Sequence, residues 1–171
     1  MAESTLKPPA DGVDFSSLPW NLNLPEEHSY LIIKTNGEWT DEQHLGMLES
    51  SIYSYNDTPL GLRPATTSLN YGTTIWEGLK CYRLPDGSAA VFRPDRNYER
   101  MKNGASDFCL PMPSKKLFMK AIQLVIQRNS RLIPPHGDGL KLYARPMLLG
   151  SGQQLGLYPS AEFSFVVFVS P

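Results

Sequence analysis

A chain of 171 residues is long enough to bury one core and to fold as a single domain. With 16 basic and 17 acidic residues the formal net charge is −1, so no long-range field draws the chain to nucleic acid or to an anionic membrane. No apolar run approaches the roughly 20 residues that span a bilayer, and residues 1–18 have neither the apolar core of a signal peptide nor the arginine-rich bias of a transit peptide, so a soluble cytoplasmic protein is expected.

Residues 1–27 are rich in Pro, Ser, Asp and Glu with isolated apolar anchors, which predicts an extended amino-terminal arm lying over a domain that occupies residues 28–171. The core should begin with the β-prone run Tyr30-Leu31-Ile32-Ile33, which ends at Asn36-Gly37. Residues 38–66 are polar and read as a long loop, of the kind that borders a site. Glu77-Gly78 fits a helix end at which glycine takes a positive φ. Residues 80–84 and 88–92 form a β-hairpin turned by Pro85-Asp86-Gly87.

After Pro94, Tyr98, Met101, Ala105 and Phe108 recur at helical spacing, and Pro111 and Pro113 close that helix. Ser114 caps the next one, where Leu117, Phe118, Ala121, Ile122 and Val125 form an apolar stripe that stops at Pro134-Pro135. Residues 140–149 and 163–169 read as strands. The glycine-rich link between them has the spacing G-x-G-x-x-x-G and leads into a strand, so it is a connecting loop rather than a dinucleotide cradle, which needs a helix amino terminus. The pattern predicts an α+β fold, a mainly antiparallel sheet of strands near 30–34, 79–84, 88–93, 140–149 and 162–169, with helices near 95–108 and 114–131 packed on it.

Cys81 and Cys109 are far apart and are expected to be buried free thiols, forming neither a disulfide nor a metal site. His28, His44 and His136 lack partners at metal-ligand spacing and are expected on the surface or in loops. Tyr143 and Arg145 are two apart in a strand, so both side chains leave one face while Leu142 and Ala144 leave the other. A phenol beside a guanidinium can bind a carboxylate or phosphate; the same pattern also suits an ordinary exposed sheet face. Read alone, Arg100 is a solvated helix arginine, and Tyr71 and Trp76 are core aromatics.

Taken together, Tyr71-Gly72-Thr73-Thr74-Ile75-Trp76-Glu77-Gly78-Leu79-Lys80, Phe92-Arg93-Pro94, Arg100-Met101, Leu142-Tyr143-Ala144-Arg145-Pro146 and Leu148-Leu149-Gly150 resemble the amino-terminal domain of the branched-chain amino-acid aminotransferases. These are pyridoxal-phosphate (PLP) enzymes of fold type IV. The resemblance runs from about residue 30 to 171 and is strongest over 68–157. It implies that Arg100 reaches the cofactor phosphate, and that Trp39, Tyr71, Trp76, Tyr143, Arg145 and Leu157 line the substrate pocket. It also implies amino-acid and 2-oxo-acid substrates, and a homodimer, or pairing with a full-length subunit, in which Tyr71 and Arg145 serve the neighbour's cofactor. The sequence departs from the family pattern at Glu42-Gln43-His44-Leu45-Gly46, at Asn70, where many members have histidine, and at Cys81, where many have alanine.

The resemblance places the lysine that anchors PLP as a Schiff base beyond Pro171. None of Lys7, Lys34, Lys80, Lys102, Lys115, Lys116, Lys120 and Lys141 matches it, so no catalytic residue is assigned, and PLP binding by this chain alone is expected to be weak or absent. Two functional expectations follow: a branched-chain aminotransferase piece inactive alone, or a catalytically dead binding or dimerisation module derived from one.

Overall fold

Two long strands, each sending alternate side chains to one shared core, organise the molecule. In β6 (Leu142–Gly150) the side chains of Leu142, Ala144 and Leu148 are buried on one face, and in β7 (Phe163–Ser170) Phe163, Phe165, Val167 and Val169 join them. The computed structural model describes residues 6–18, 28–137 and 139–171. In chain order the other elements are β1 (Ser29–Thr35), α1 (Asp41–Met47), β2 (Ile52–Ser54), α2 (Thr67–Tyr71), β3 (Thr74–Trp76), β4 (Leu79–Arg83), β5 (Ala89–Val91), α3 (Pro94–Asp107) and α4 (Lys115–Arg128). The strands form one seven-stranded sheet in the order β2-β1-β7-β6-β4-β5, with β3 also paired to β6, and every pairing is antiparallel. The fold is α+β, with α3 and α4 packed on one face.

That inner face holds the main core. Leu117, Phe118, Ala121 and Val125 of α4 are fully buried against Leu31, Ile33, Phe165 and Val167 of the sheet, each large side chain contributing about 1.5–3 kcal/mol by leaving water. Ser114 caps α4 as its sequence position predicts, its Oγ accepting from Leu117 N at 3.0 Å. Phe108 falls just past the end of α3 and is exposed rather than part of its stripe.

Residues 74–83 are one strand interrupted once. Trp76 lies opposite Met147 and Leu79 opposite Ala144, so β3 and β4 share a single register on β6. The break at Glu77-Gly78 has a cause in β6: Glu77 N donates to Pro146 O at 3.0 Å, and the proline nitrogen has no hydrogen to return. The expected helix end at Glu77-Gly78 is therefore corrected. The glycine with positive φ at a helix terminus is Gly72, φ +66° after α2, whereas Gly78 has no positive φ.

Further corrections fall in the segment read as a loop. Residues 38–66 contain α1 and β2, and β2 pairs with β1. His44 is buried in α1, with Nδ1 2.9 Å from Thr40 O, and so is neither a surface nor a loop histidine, whereas His28, though buried, lies in the loop before β1 and His136 is exposed in a turn. Cys81 is buried on the inner face, but Cys109 is exposed at φ +52° beyond α3. Of the arm, residues 6–18 lie on the domain: Ala10 N donates to Arg131 O at 2.9 Å, and Ala10 and Phe15 are buried. The remainder, 1–5 and 19–27, lies outside the described residues.

Arg83 ties these parts together from β4. Its buried guanidinium donates to the carbonyls of Ser130 at 2.8 Å, Gly87 at 3.1 Å and Lys7 at 3.2 Å, linking the β4–β5 turn, the end of α4 and the arm. Burial pushes its pKa down from the ordinary arginine value.

Candidate functional site

The outer face of the sheet carries no α3 or α4. Its apolar half, Tyr30, Ile32, Leu149 and Val166, is covered by Tyr53 and Leu60. Toward β4 the face opens, and the expected pair of β6 lies there. Arg145 is opposite Phe168 in β7. Its guanidinium lies 4.4 Å from the centroid of the Trp76 ring, 5.2 Å from that of Tyr143 and 5.8 Å from that of Phe168. Nε donates to Tyr143 Oη at 3.0 Å. Three ring contacts hold the cation by its faces, each worth about 0.5–1 kcal/mol at a partly exposed site. Among the described residues its Nη groups have no protein acceptor, so they are free to fork onto an anion.

Gly78 makes this arrangement possible. A Cβ there would sit 2.7 Å from both Cε2 and Oη of Tyr143, so the tyrosine ring lies directly over the glycine backbone. Trp76 is 57 % exposed, which leaves one face of the indole open to a ligand. Lys80 is opposite Tyr143 in the β4–β6 register and is exposed.

Tyr71 belongs to a neighbouring rim. Its Oη donates to Leu155 O at 2.6 Å, joining the end of α2 to the loop between β6 and β7. That loop is shaped by Gln154, whose Nε2 donates to Tyr158 O at 2.5 Å, and it projects Leu155 and Leu157, 82 % and 88 % exposed. Asn70, in α2, donates from Nδ2 to Pro64 O and Thr66 O and so closes the preceding turn.

Arg100 and Trp39 are placed apart from these groups. Trp76 and Glu77 are consecutive in an extended strand, so their side chains leave on opposite faces: Trp76 toward Arg145, Glu77 toward α3. Arg100 follows Glu77. Its Nε donates to Glu77 Oε1 at 2.9 Å and its Nη2 to Oε2 at 2.5 Å, and the carboxylate holds the guanidinium pKa above its ordinary value. Trp39 packs on the inner face, with Nε1 donating to Pro111 O at 2.7 Å and its ring edge-on to His44 and Phe165. Of the residues expected to act together, Trp76, Tyr143 and Arg145 meet, Tyr71 and Leu157 share the adjoining rim, and Arg100 and Trp39 lie toward the helical face.

Glu77, Gly78 and Asn97 are site-forming residues that sequence reasoning did not single out for these roles. Glu77 and Asn97 are 20 residues apart and meet only in three dimensions; the one local signal is that Asn97 and Arg100 stand three apart and so share one side of α3.

The fold matches that of fold type IV branched-chain aminotransferase structures. The solved branched-chain amino-acid aminotransferase of Escherichia coli superposes with a TM-score of 0.62 at 21 % identity, over 85 % of this chain and 40 % of that one. The enzyme of Thermoproteus uzoniensis, solved with norvaline, gives 0.60 at 19 % identity, over 85 % and 41 %. In sequence, the chain is 37 % identical over 175 residues to the chloroplastic branched-chain-amino-acid aminotransferase 3 of Arabidopsis thaliana, covering 99 % of this chain and 39 % of the relative. It is 46 % identical over 159 residues to the mitochondrial branched-chain amino acid aminotransferase 1 of Humulus lupulus, covering 93 % and 38 %. No family model matches the chain. The chain belongs to the branched-chain amino-acid aminotransferase family, and it spans about two fifths of the length of these relatives.

Proposed function

We propose that this chain provides the small-domain half of a site for transamination between a branched-chain amino acid and a 2-oxo acid, and that it does not turn over alone. The observation that carries this reading is Arg145, held by Trp76, Tyr143 and Phe168 with its Nη groups free. A guanidinium with aromatic walls suits a substrate that has a carboxylate at one end and an apolar side chain at the other.

The residues present fit PLP at one point. Arg100 uses two of its five N–H groups on Glu77 and is exposed, so three remain for a phosphate. When bound, PLP supplies an electron sink for the substrate α-carbon. Arg100 would bind its phosphate on the helical side, while Arg145 and Tyr143, on the other face of the sheet, would orient a carboxylate at a neighbouring copy's cofactor and Trp76 would exclude water from that side-chain pocket. The proton-moving lysine belongs, in this proposal, to a further domain, so the chain alone forms no stable Schiff base and holds PLP only weakly, through its phosphate.

One test is recognition. In ¹⁵N spectra of the arginine side chains, 4-methyl-2-oxopentanoate should shift Arg145 while the corresponding alcohol should not, and Arg145→Lys should abolish the response. Absence of any carboxylate-dependent shift would overturn the reading. The other test is chemistry: borohydride reduction after PLP treatment should label surface lysines partially, and stoichiometric labelling of one lysine with leucine turnover would show that the chain completes its own site.

The exposed rim of Leu69, Leu155, Leu157 and Tyr158 favours a second reading, a catalytically dead binding or dimerisation module that pairs with its own copy or with a full-length subunit. Sedimentation showing a monomer across a wide concentration range would count against it. Among the described residues no helix is long and apolar enough to cross a membrane. Cytoplasmic residence remains part of the proposal, and recovery of the protein from plastids or mitochondria, the compartments named for the two plant relatives, would overturn it.

A further inference from the structure

We propose that Glu77 is a positioning residue: fixed by Asn97, it grips the Nε edge of Arg100 and leaves the opposite edge of the guanidinium presented to a phosphate monoester. The inference rests on the proposed cofactor contact of Arg100.

The three side chains differ in how firmly they are held. Asn97 is 7 % exposed, and its Nδ2 donates both to Glu77 Oε2 at 2.8 Å and to Gly78 O at 3.1 Å, so it is anchored to a side chain and to the backbone of the β3–β4 junction. Glu77 is mostly covered, with a side chain 11 % exposed, while that of Arg100 is 65 % exposed. The carboxylate is therefore the fixed part and the arginine the part brought to it. With Nε on Oε1 and Nη2 on Oε2, the pair is a fork, which sets the plane of the guanidinium as well as its distance.

Two effects of Glu77 on an incoming phosphate oppose one another. Holding Arg100 in one rotamer removes disorder that an exposed arginine would otherwise lose on binding. The carboxylate charge repels the phosphate across the guanidinium, but this edge faces water, where such repulsion is strongly weakened. Ordering dominates, so removing the carboxylate should weaken the phosphate contact rather than free the arginine to make a better one. The alternative, in which Glu77 competes with the phosphate for Arg100, predicts the opposite sign.

The experiment uses the chain labelled with ¹⁵N, with the Arg100 Nε–H signal assigned by its loss in Arg100→Lys. Pyridoxal 5′-phosphate should shift the Nη signals of Arg100 and leave Nε–H on Glu77; pyridoxal, which has the same aldehyde and no phosphate, should leave both unmoved. In Glu77→Gln the Nε–H signal should lose its protected position, and the phosphate-dependent shift should need five- to tenfold more ligand. Asn97→Ala, which keeps the carboxylate but frees it, should give a smaller loss in the same direction. The Arg145 Nε–H signal, on the other face of the sheet, should stay in place in both variants and so separates a local effect from a disturbed fold. Equal or tighter phosphate binding in Glu77→Gln would overturn the proposal. If pyridoxal 5′-phosphate does not touch Arg100 in the unaltered chain, the cofactor contact itself falls and this inference with it, a result visible before any Glu77 variant is made.

Discussion

Replacing Gly78 with alanine should dismantle the Arg145 site and leave the fold nearly as stable as before. The added Cβ would stand 2.7 Å from Cε2 and Oη of Tyr143 and 3.1 Å from Cζ. Carbon contacts relax at about 3.5–4.0 Å, so the ring must move by about 1 Å. It can, because the clash involves the far end of a half-buried side chain and not the backbone. Moving it breaks the 3.0 Å bond from Arg145 Nε, a loss of about 0.5–1.5 kcal/mol. Against this, alanine at an ordinary φ restricts the unfolded chain and returns about 0.4–1 kcal/mol. The net change should lie within about 1 kcal/mol, or about 2–4 °C in Tm for a chain of this size. Gly150→Ala is the contrast. Its Cβ would meet Thr67 Oγ1 at 2.5 Å, Thr73 Oγ1 at 2.7 Å and Ser160 Cβ at 2.9 Å in a buried position, so overpacking should cost about 2–3 kcal/mol. Thermal unfolding followed by circular dichroism measures both, and the Arg145 Nε–H resonance reports the site. The reasoning fails if Gly78→Ala is as destabilising as Gly150→Ala, or if that resonance does not move.

The two thiols should behave differently: Cys109 reacts with a maleimide in the native chain and Cys81 only after unfolding, as labelled-peptide mapping would show. Burial pushes the Cys81 thiol up to about 11, above its ordinary 9.0, so its contribution to stability is complete below pH 9 and disappears as pH rises toward 11, about 1.4 kcal/mol per pH unit in that window; urea titrations at pH 8 and 10.5 would detect this, and Cys81→Ala should flatten the slope. Arg83→Met should cost about 3 kcal/mol by leaving the carbonyls of Ser130, Gly87 and Lys7 without their donor, and limited proteolysis should find residues 6–18 more readily cut. Ser114→Ala should cost about 1 kcal/mol through the lost cap of α4, measured by urea unfolding.

The elements legible in the sequence are those whose periodicity is long and whose ends carry proline or glycine. Pro94, Pro113 and Ser114 frame α3 and α4, and Pro85-Asp86-Gly87 turns the β4–β5 hairpin. The elements that escaped are short. In α1 two turns bury chiefly His44, and β3 is three residues long and ends in an exposed Trp76, so neither offers an apolar pattern to find. The face shared by Tyr143 and Arg145 followed from period two alone. What they touch did not: the glycine beneath Tyr143 comes from another strand, and Glu77, the partner of Arg100, is set by how α3 crosses the β3–β4 junction. Gly78 was visible as a glycine, but a close approach and a left-handed turn leave the same letter in the sequence.

Pro146 and Gly78 also act as a key for strand pairing. Proline in an interior strand leaves one position where the neighbour receives no hydrogen bond, and the large ring of Tyr143 needs a neighbour without a side chain. The two requirements are met together only when residue 77 faces residue 146. A slip of two residues, which would keep the apolar face inward and so go unpunished by burial, would set a side chain beneath Tyr143 and leave the proline opposite a different residue. Among the misaligned pairings of these two distant strands, those that hydrophobic patterning tolerates are thus rejected by local collision, and the register on which Arg145 depends is fixed by two residues rather than by burial.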